Sequence, residues 1–250
     1  LKHKINLHSM YSEGNNPRNK LQISDFSKWV KWAKERGYGL DFNASFFTHK
    51  MMDGNLSITS PKKEVRDFWI EVGKCSREIA YQMGKELGQK CVNNIWVPDG
   101  MKDIPADRYY FRSLLKESLD SILEKKYDSN YMADVLEGKL FSIGAESFTA
   151  GSHEFYLSYA IKNNVGVCLD TGHYHLTESV ADKLSAISPF VNDILLHISR
   201  GVRWDSDHVV IQSDELLSLF EEIARGNLFG KIHLGLDYFD ASINRVAAWA

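Results

Sequence analysis

Four apolar stretches of this chain each run into a side chain that could ligate a metal. Leu140-Phe-Ser-Ile-Gly-Ala-Glu146 ends on a carboxylate. Val167-Cys-Leu-Asp170 ends on another, with His173 three residues on. Ile194-Leu-Leu-His197 ends on an imidazole, and His233-Leu-Gly-Leu-Asp237 on an acid. Between the last two, Arg203-Trp-Asp205-Ser-Asp207-His208 adds two acids two residues apart. Taken singly, an acid after a strand is often a helix cap or turn residue, and a lone histidine is usually a hydrogen-bonded structural group. Taken together they are not so easily explained, because clustered carboxylates raise one another's pKa unless a cation neutralises them. Oxygen-rich ligation with one or two imidazoles suits Mn²⁺, Mg²⁺ or Co²⁺, and the thiols Cys75, Cys91 and Cys168 lie outside the pattern. The ligand set is too large for one ion. Glu146, Asp170, His197 and Asp237 would ring one metal; His173, Asp205 and Asp207 would hold a second, with Asp170 as a bridge.

These groups need a scaffold that brings strand ends together. Short apolar runs at Ile5–Met10, Gly39–Asn43, Cys91–Val97, Leu140–Glu146, Val165–Asp170, Ile194–Ile198 and Lys231–Asp237 read as strands buried on both faces. Amphipathic segments alternate with them. Helices are expected over Asp25–Arg36 with Ser24 as cap, from Ser60-Pro61 to Gly88, over 107–126, near 130–137, over 152–163, from Thr177 to about Ala186, and from Asp214 to Arg225. Strand–helix alternation predicts a parallel sheet. The expected fold class is α/β, a (β/α)₈ TIM barrel with about seven of its eight strands present. Residues 1–250 would form a single domain, shortened at both ends, with the missing strand before Leu1. In such a barrel the strand carboxyl ends share one mouth, where the ligands would meet.

Composition narrows the function. A net charge of −3 with no basic block argues against a nucleic-acid partner. No apolar run reaches membrane-span length, and three scattered cysteines without a CxxC read as reduced thiols of a cytoplasmic protein.

The segments Leu40-Asp-Phe-Asn43, Asn94-Ile-Trp-Val-Pro-Asp-Gly-Met-Lys-Asp103, Ile143-Gly-Ala-Glu-Ser147, Cys168-Leu-Asp-Thr-Gly-His173, Leu196-His-Ile-Ser-Arg200, Arg203-Trp-Asp-Ser-Asp-His208 and Gly235-Leu-Asp-Tyr-Phe-Asp-Ala-Ser-Ile-Asn-Arg245 closely resemble bacterial L-rhamnose isomerase, nearly end to end. The resemblance implies a manganese-dependent barrel, a homotetramer when intact, that interconverts L-rhamnose and L-rhamnulose in rhamnose catabolism. It also supports His173, Asp205 and Asp207 as manganese ligands. The layout is more distantly similar to xylose isomerase, where a lysine stands two residues after the fifth-strand acid. Counted from Glu146, that position is Phe148.

An aldose–ketose isomerase moves one hydrogen between C1 and C2 and another between their oxygens. A metal pair would polarise both oxygens while a hydride passes between the carbons. His173, Asp205, Asp207 and Asp237 are the expected catalytic groups. Glu146, His197, His8 and Trp96 are expected to bind substrate, with His8 assisting ring opening and Trp96 packing on the sugar. Asp240 could orient a water, or cap a helix. Rival readings are another aldose isomerase, a metal-dependent sugar epimerase or hydrolase on the same barrel, or an inactive fragment.

Overall fold

The computed structural model describes residues 3–140, 147–202 and 204–238, and the side chains of 202–206 are outside the description. Seven parallel strands form one sheet: β1 (Lys4–His8), β2 (Gly39–Asn43), β3 (Cys91–Trp96), β4 (Met132–Glu137), β5 (Gly166–Asp170), β6 (Ile194–Ile198) and β7 (Ile232–Leu236). They lie side by side in chain order, as right-handed strand–helix–strand crossovers require. The helices between them are α1 (Ser27–Arg36), α2 (Lys63–Leu87), α3 (Arg108–Ile122), α4 (His153–Asn163), α5 (Val180–Ile187) and α6 (Asp214–Arg225). This is the architecture of a (β/α)₈ barrel, seen over seven strands.

Most expected elements are found within a residue or two. One assignment fails. Residues 130–137 are not a helix but contain β4, and the strand expected at Leu140–Glu146 falls largely outside the described residues. Met132-Ala-Asp-Val-Leu-Glu137 misleads because it is rich in helix formers, with acids three apart. Its Asp134 is tolerated on the helix-facing side because Arg77 of α2 meets it. Arg77 Nε donates to both carboxylate oxygens at 3.1 and 3.0 Å, and Nη2 lies 2.9 Å from Oδ2. Asn93 Nδ2 also donates to Asp134 at 2.8 Å, and Ser76 Oγ donates to Asn93 at 2.7 Å. Helix starts shift too. Ser179 rather than Thr177 caps α5, accepting from the Asp182 amide; Ser213 rather than Asp214 caps α6. Ahead of α1, a 3₁₀ turn at Ile23–Phe26 replaces a Ser24 cap, closed by a capping box between Gln22 and Asp25.

Alternation along each strand separates two environments. Val92, Val135, Cys168 and Leu195 form a small apolar cluster contributed by four neighbouring strands. Two residues further along the same strands stand Asn94, Glu137, Asp170 and His197, all buried. The apolar layer is thus followed, toward the carboxyl ends, by a polar one. The outward residues join the helices in two larger cores, one around Trp69, Leu115 and Leu196, the other around Phe26, Phe42 and Met83.

The loops after β2 and β3 are pinned together by Asp99. Its buried carboxylate accepts from the Ser57 and Thr59 amides at 2.8 and 2.9 Å and from both hydroxyls at 2.6 Å. Burial still pushes its pKa up, against those bonds.

Candidate metal centre

The polar layer is the site. Oxygen or nitrogen atoms of Glu137, Asp170, His197 and Asp237 lie within 4.8 Å of one another, as do atoms of Asp170, His173 and Asp207. Asp170 belongs to both groups. His197 Nδ1 lies 3.0 Å from Asp237 Oδ2, 3.6 Å from Glu137 Oε1 and 3.7 Å from Asp170 Oδ2. His173 Nδ1 lies 3.3 Å from Glu137 Oε1, and Nε2 3.6 Å from Asp170 Oδ2.

Strand register builds this arrangement. Asp170 is level with His197 across β5 and β6, and His197 with Gly235 across β6 and β7. Glu137 is level with Cys168, one inward step short of Asp170. Asp237 follows β7, and its amide donates to the Ile198 carbonyl at 3.1 Å. The turn after β5 is equally constrained. The Gly172 amide and the Ser199 hydroxyl both donate to Asp170 Oδ1 at 2.7 Å. A Cβ on Gly172 would stand 2.5 Å from Ser199 Oγ, so a side chain there would push that hydroxyl away from Asp170. Asn94 donates to the other oxygen of the Glu137 carboxylate.

These bonds leave Asp170 Oδ2 buried without a hydrogen-bond partner among the described residues. An ionised oxygen so placed is costly without a cation. Electrostatics agree. Burial drives the Asp170 carboxyl up to about 7, despite His173 nearby. For Asp237, burial acts upward too, but the hydrogen bond and charge of His197 outweigh it and bring the value to about 2. Burial opposes protonation of His197, while Cys168, Glu137 and Asp237 raise its pKa well above the ordinary range. Buried acids facing imidazoles at these distances fit a divalent cation, with Asp170 Oδ2 aimed between both groups.

The expected residues fare unevenly. Asp170, His173, His197, Asp207 and Asp237 converge as anticipated. Glu146 and Asp240 lie outside the described residues, as does the side chain of Asp205. The acid at the end of the strand before β5 is Glu137, which sequence reasoning missed along with β4. The signal available was Val135-Leu136-Glu137, a short apolar step that runs into a carboxylate. Glu137 in place of Glu146 also moves the lysine position of the xylose isomerase layout. The position two residues on is Lys139, not Phe148, and Phe148 is buried in the core. Lys139 Nζ lies 5.1 Å from the centre of the Trp96 ring. Trp96 packs on Phe47 with ring centres 5.3 Å apart, and Phe47 on His8 at 6.1 Å. His8 is kept less basic by burial, against the charges of Asp237 and Glu137.

Among solved structures, a D-tagatose 3-epimerase-like protein is similar with a TM-score of 0.59 at 14% identity, covering 94% of this chain and 91% of that one. D-psicose 3-epimerase from Clostridium cellulolyticum H10 gives 0.58 at 12% identity, with 99% and 80% covered. These likenesses bear on the fold. In sequence, the chain is 52% identical to an L-rhamnose isomerase of Listeria monocytogenes (strain HCC23), over 99% of this chain and 60% of the relative. It is 50% identical to that of Mannheimia succiniciproducens, with the same coverage, and 48% to that of Rhodopirellula baltica, over 99% and 58%. The chain therefore spans about three-fifths of the length of these relatives. The family model described as L-rhamnose isomerase (RhaA) matches residues 1–250, and with such a match from end to end the chain belongs to the L-rhamnose isomerase family.

Proposed function

We propose that this chain carries the metal centre of an L-rhamnose isomerase, converting L-rhamnose to L-rhamnulose as the first step of rhamnose catabolism. The observation that carries the reading is the convergence of Glu137, Asp170, His197 and Asp237 beside Asp170, His173 and Asp207. Family membership supports L-rhamnose as the substrate. Glu137, Asp170, His197 and Asp237 would hold one ion; His173 and Asp207, with Asp205, would hold the other. Mn²⁺ is the proposed metal, with Co²⁺ or Mg²⁺ as substitutes. When bound, two divalent ions polarise the C1 and C2 oxygens, so that hydrogen can move between the carbons as hydride.

The chain's own groups do the rest. His173, Asp205 and Asp207 position the proton relay that carries the O2 proton to O1 while the C2 hydrogen passes to C1. Lys139, two residues beyond Glu137 and 5.1 Å from the Trp96 ring centre, would hold a sugar oxygen; it occupies the position at which the xylose isomerase layout carries its lysine. Trp96 and Phe47 form an apolar wall for the sugar's carbon face, and His8 stands at the wall's end as a donor for ring opening. We further propose a cytoplasmic homotetramer. No helix of the described residues is long and apolar enough to cross a membrane.

The test is turnover of L-rhamnose deuterated at C2, with Mn²⁺, in ordinary water. Label retained at C1 of L-rhamnulose is expected. Complete loss to solvent would replace hydride transfer by an enediol. Failure to turn over L-rhamnose, or a strong preference for a sugar that is not 6-deoxy, would refute the assignment. A sugar epimerase is the second reading, favoured by the solved structures of similar fold; conversion of a ketose panel to C3 epimers would support it.

A further inference from the structure

The segment after β2 is strained and heavily braced for a loop that holds no proposed ligand. Ser45 has φ +55° and Thr48 φ +51°, left-handed conformations uncommon outside glycine. Four bonds hold Ser45 and its neighbours there. The Ser45 amide donates to Asn43 Oδ1 at 2.8 Å, and Arg18 Nη1 donates to the Ser45 and Phe47 carbonyls at 3.1 and 2.7 Å. Ser9 Oγ donates to the Ala44 carbonyl at 2.6 Å. The result is a fully buried Ser45 whose hydroxyl lies 3.0 Å from His8 Nδ1. Such strain persists only where its surroundings over-determine it, and the bracing at Ser45 fixes one hydroxyl against one imidazole.

The direction of that bond follows from donor accounting. Were His8 protonated at Nδ1, it would donate to Ser45 Oγ. The serine proton would then point into the buried pocket with no other acceptor among the described residues, at the full cost of an unsatisfied donor. With Nδ1 bare, the hydroxyl donates to it and both groups are satisfied. We infer that Ser45, clamped by Arg18 and Asn43, is a positioning residue that locks His8 in its Nε2–H tautomer and presents that N–H to the sugar as a fixed donor. The tautomer stands on geometry alone; its use on a sugar rests on the proposed isomerase function.

Ser45→Gly separates the hydroxyl from the backbone. Glycine accepts φ +55° without strain, so the loop keeps its course while the bond to His8 is lost. Nitrogen NMR of metal-free protein labelled at histidine, with His8 assigned from the His8→Gln spectrum, reads the tautomer directly. Wild type is expected to show one form, protonated at Nε2, and Ser45→Gly a mixture. An Nδ1–H form in wild type, or an unchanged ratio in the variant, would overturn the inference. Rhamnose kinetics supply the second readout. Ser45→Gly should lower kcat/KM about tenfold in wild type and not at all in the His8→Gln background. An equal loss in both backgrounds would mean that Ser45 acts on the fold and not through His8. Should the wild-type protein fail to isomerise rhamnose, the function falls, while the tautomer measurement still decides the role of Ser45.

Discussion

Ser199 donates its hydroxyl to Asp170 Oδ1 at 2.7 Å, and with the Gly172 amide it occupies that oxygen while Oδ2 has no hydrogen bond among the described residues. Such partners orient a ligating carboxylate without touching the metal. Ser199→Ala should therefore keep every ligand yet weaken binding of Mn²⁺ by about 10–100-fold. Titration calorimetry on the metal-free protein checks this, and unchanged affinity would show that the hydroxyl does not orient Asp170.

Glu137→Gln removes the carboxylate charge from the quartet while preserving its volume. Metal content measured after gel filtration should fall by about one ion per chain, and rhamnose turnover by about 100-fold or more. Full metal occupancy in this variant would mean that another acid completes the quartet.

Lys139→Met retains the hydrophobic stem and deletes the ammonium. Metal content should stay at the wild-type level while turnover drops about 100-fold, separating a substrate contact from a ligand. Kinetics and metal analysis on one preparation decide it.

The metal-free protein should lose stability as pH rises. Asp170 is held at about 7 in the fold, above its ordinary 3.8, chiefly by burial. Its contribution is complete below the unfolded value and disappears as pH climbs through about 7. His197 is also raised, by the groups around it against burial, so it acts in the same sense at higher pH. Asp237 is lowered, and its contribution is lost only in acid, leaving it flat across this window. Thermal melts in chelator should thus fall by several degrees between about pH 5 and about pH 8. Saturating Mn²⁺ should reverse the slope, because the ion binds the ionised carboxylate. A melting temperature in chelator that rose over the same range would contradict the raised Asp170.

Asp134→Leu leaves the Arg77 guanidinium buried with its acid gone. Breaking one side of such a pair costs about 3–5 kcal/mol, which urea unfolding would register as a large fall in midpoint. A cost under about 1 kcal/mol would show that the pair is solvated in solution.

Much of this arrangement was legible in the sequence, and what was not has an identifiable cause. Asp170, His197 and Asp237 each stand at the end of a mostly apolar run, and the shared mouth of strand carboxyl ends in a barrel was enough to group them. Glu137 was missed because its strand carries Asp134, whose charge is neutralised by Arg77, distant in sequence on α2. Short-range pattern contains no trace of that partner. Leu140–Glu146, by contrast, has the composition of a strand, whereas the strand paired with both β3 and β5 is β4. The Phe148 assignment failed for the same reason, since one misplaced strand moved the count by nine residues. Ser45 could not have been found at all: its left-handed backbone follows from Arg18 and Asn43, and nothing in Ala44-Ser-Phe-Phe47 announces it.

The stagger of the strands has a consequence for how this chain can change length. Glu137 is level with Cys168, Asp170 with His197, and His197 with Gly235, so each ligand sits at a set count from its neighbour's ladder. One residue inserted within a strand would turn its ligand out toward the helices. The same insertion in an exposed loop on the far side would leave the mouth untouched. Viable insertions and deletions should accordingly cluster in the surface segments that precede the strands. The few positions from the Val92–Leu195 apolar layer to the ligands should reject them in every strand.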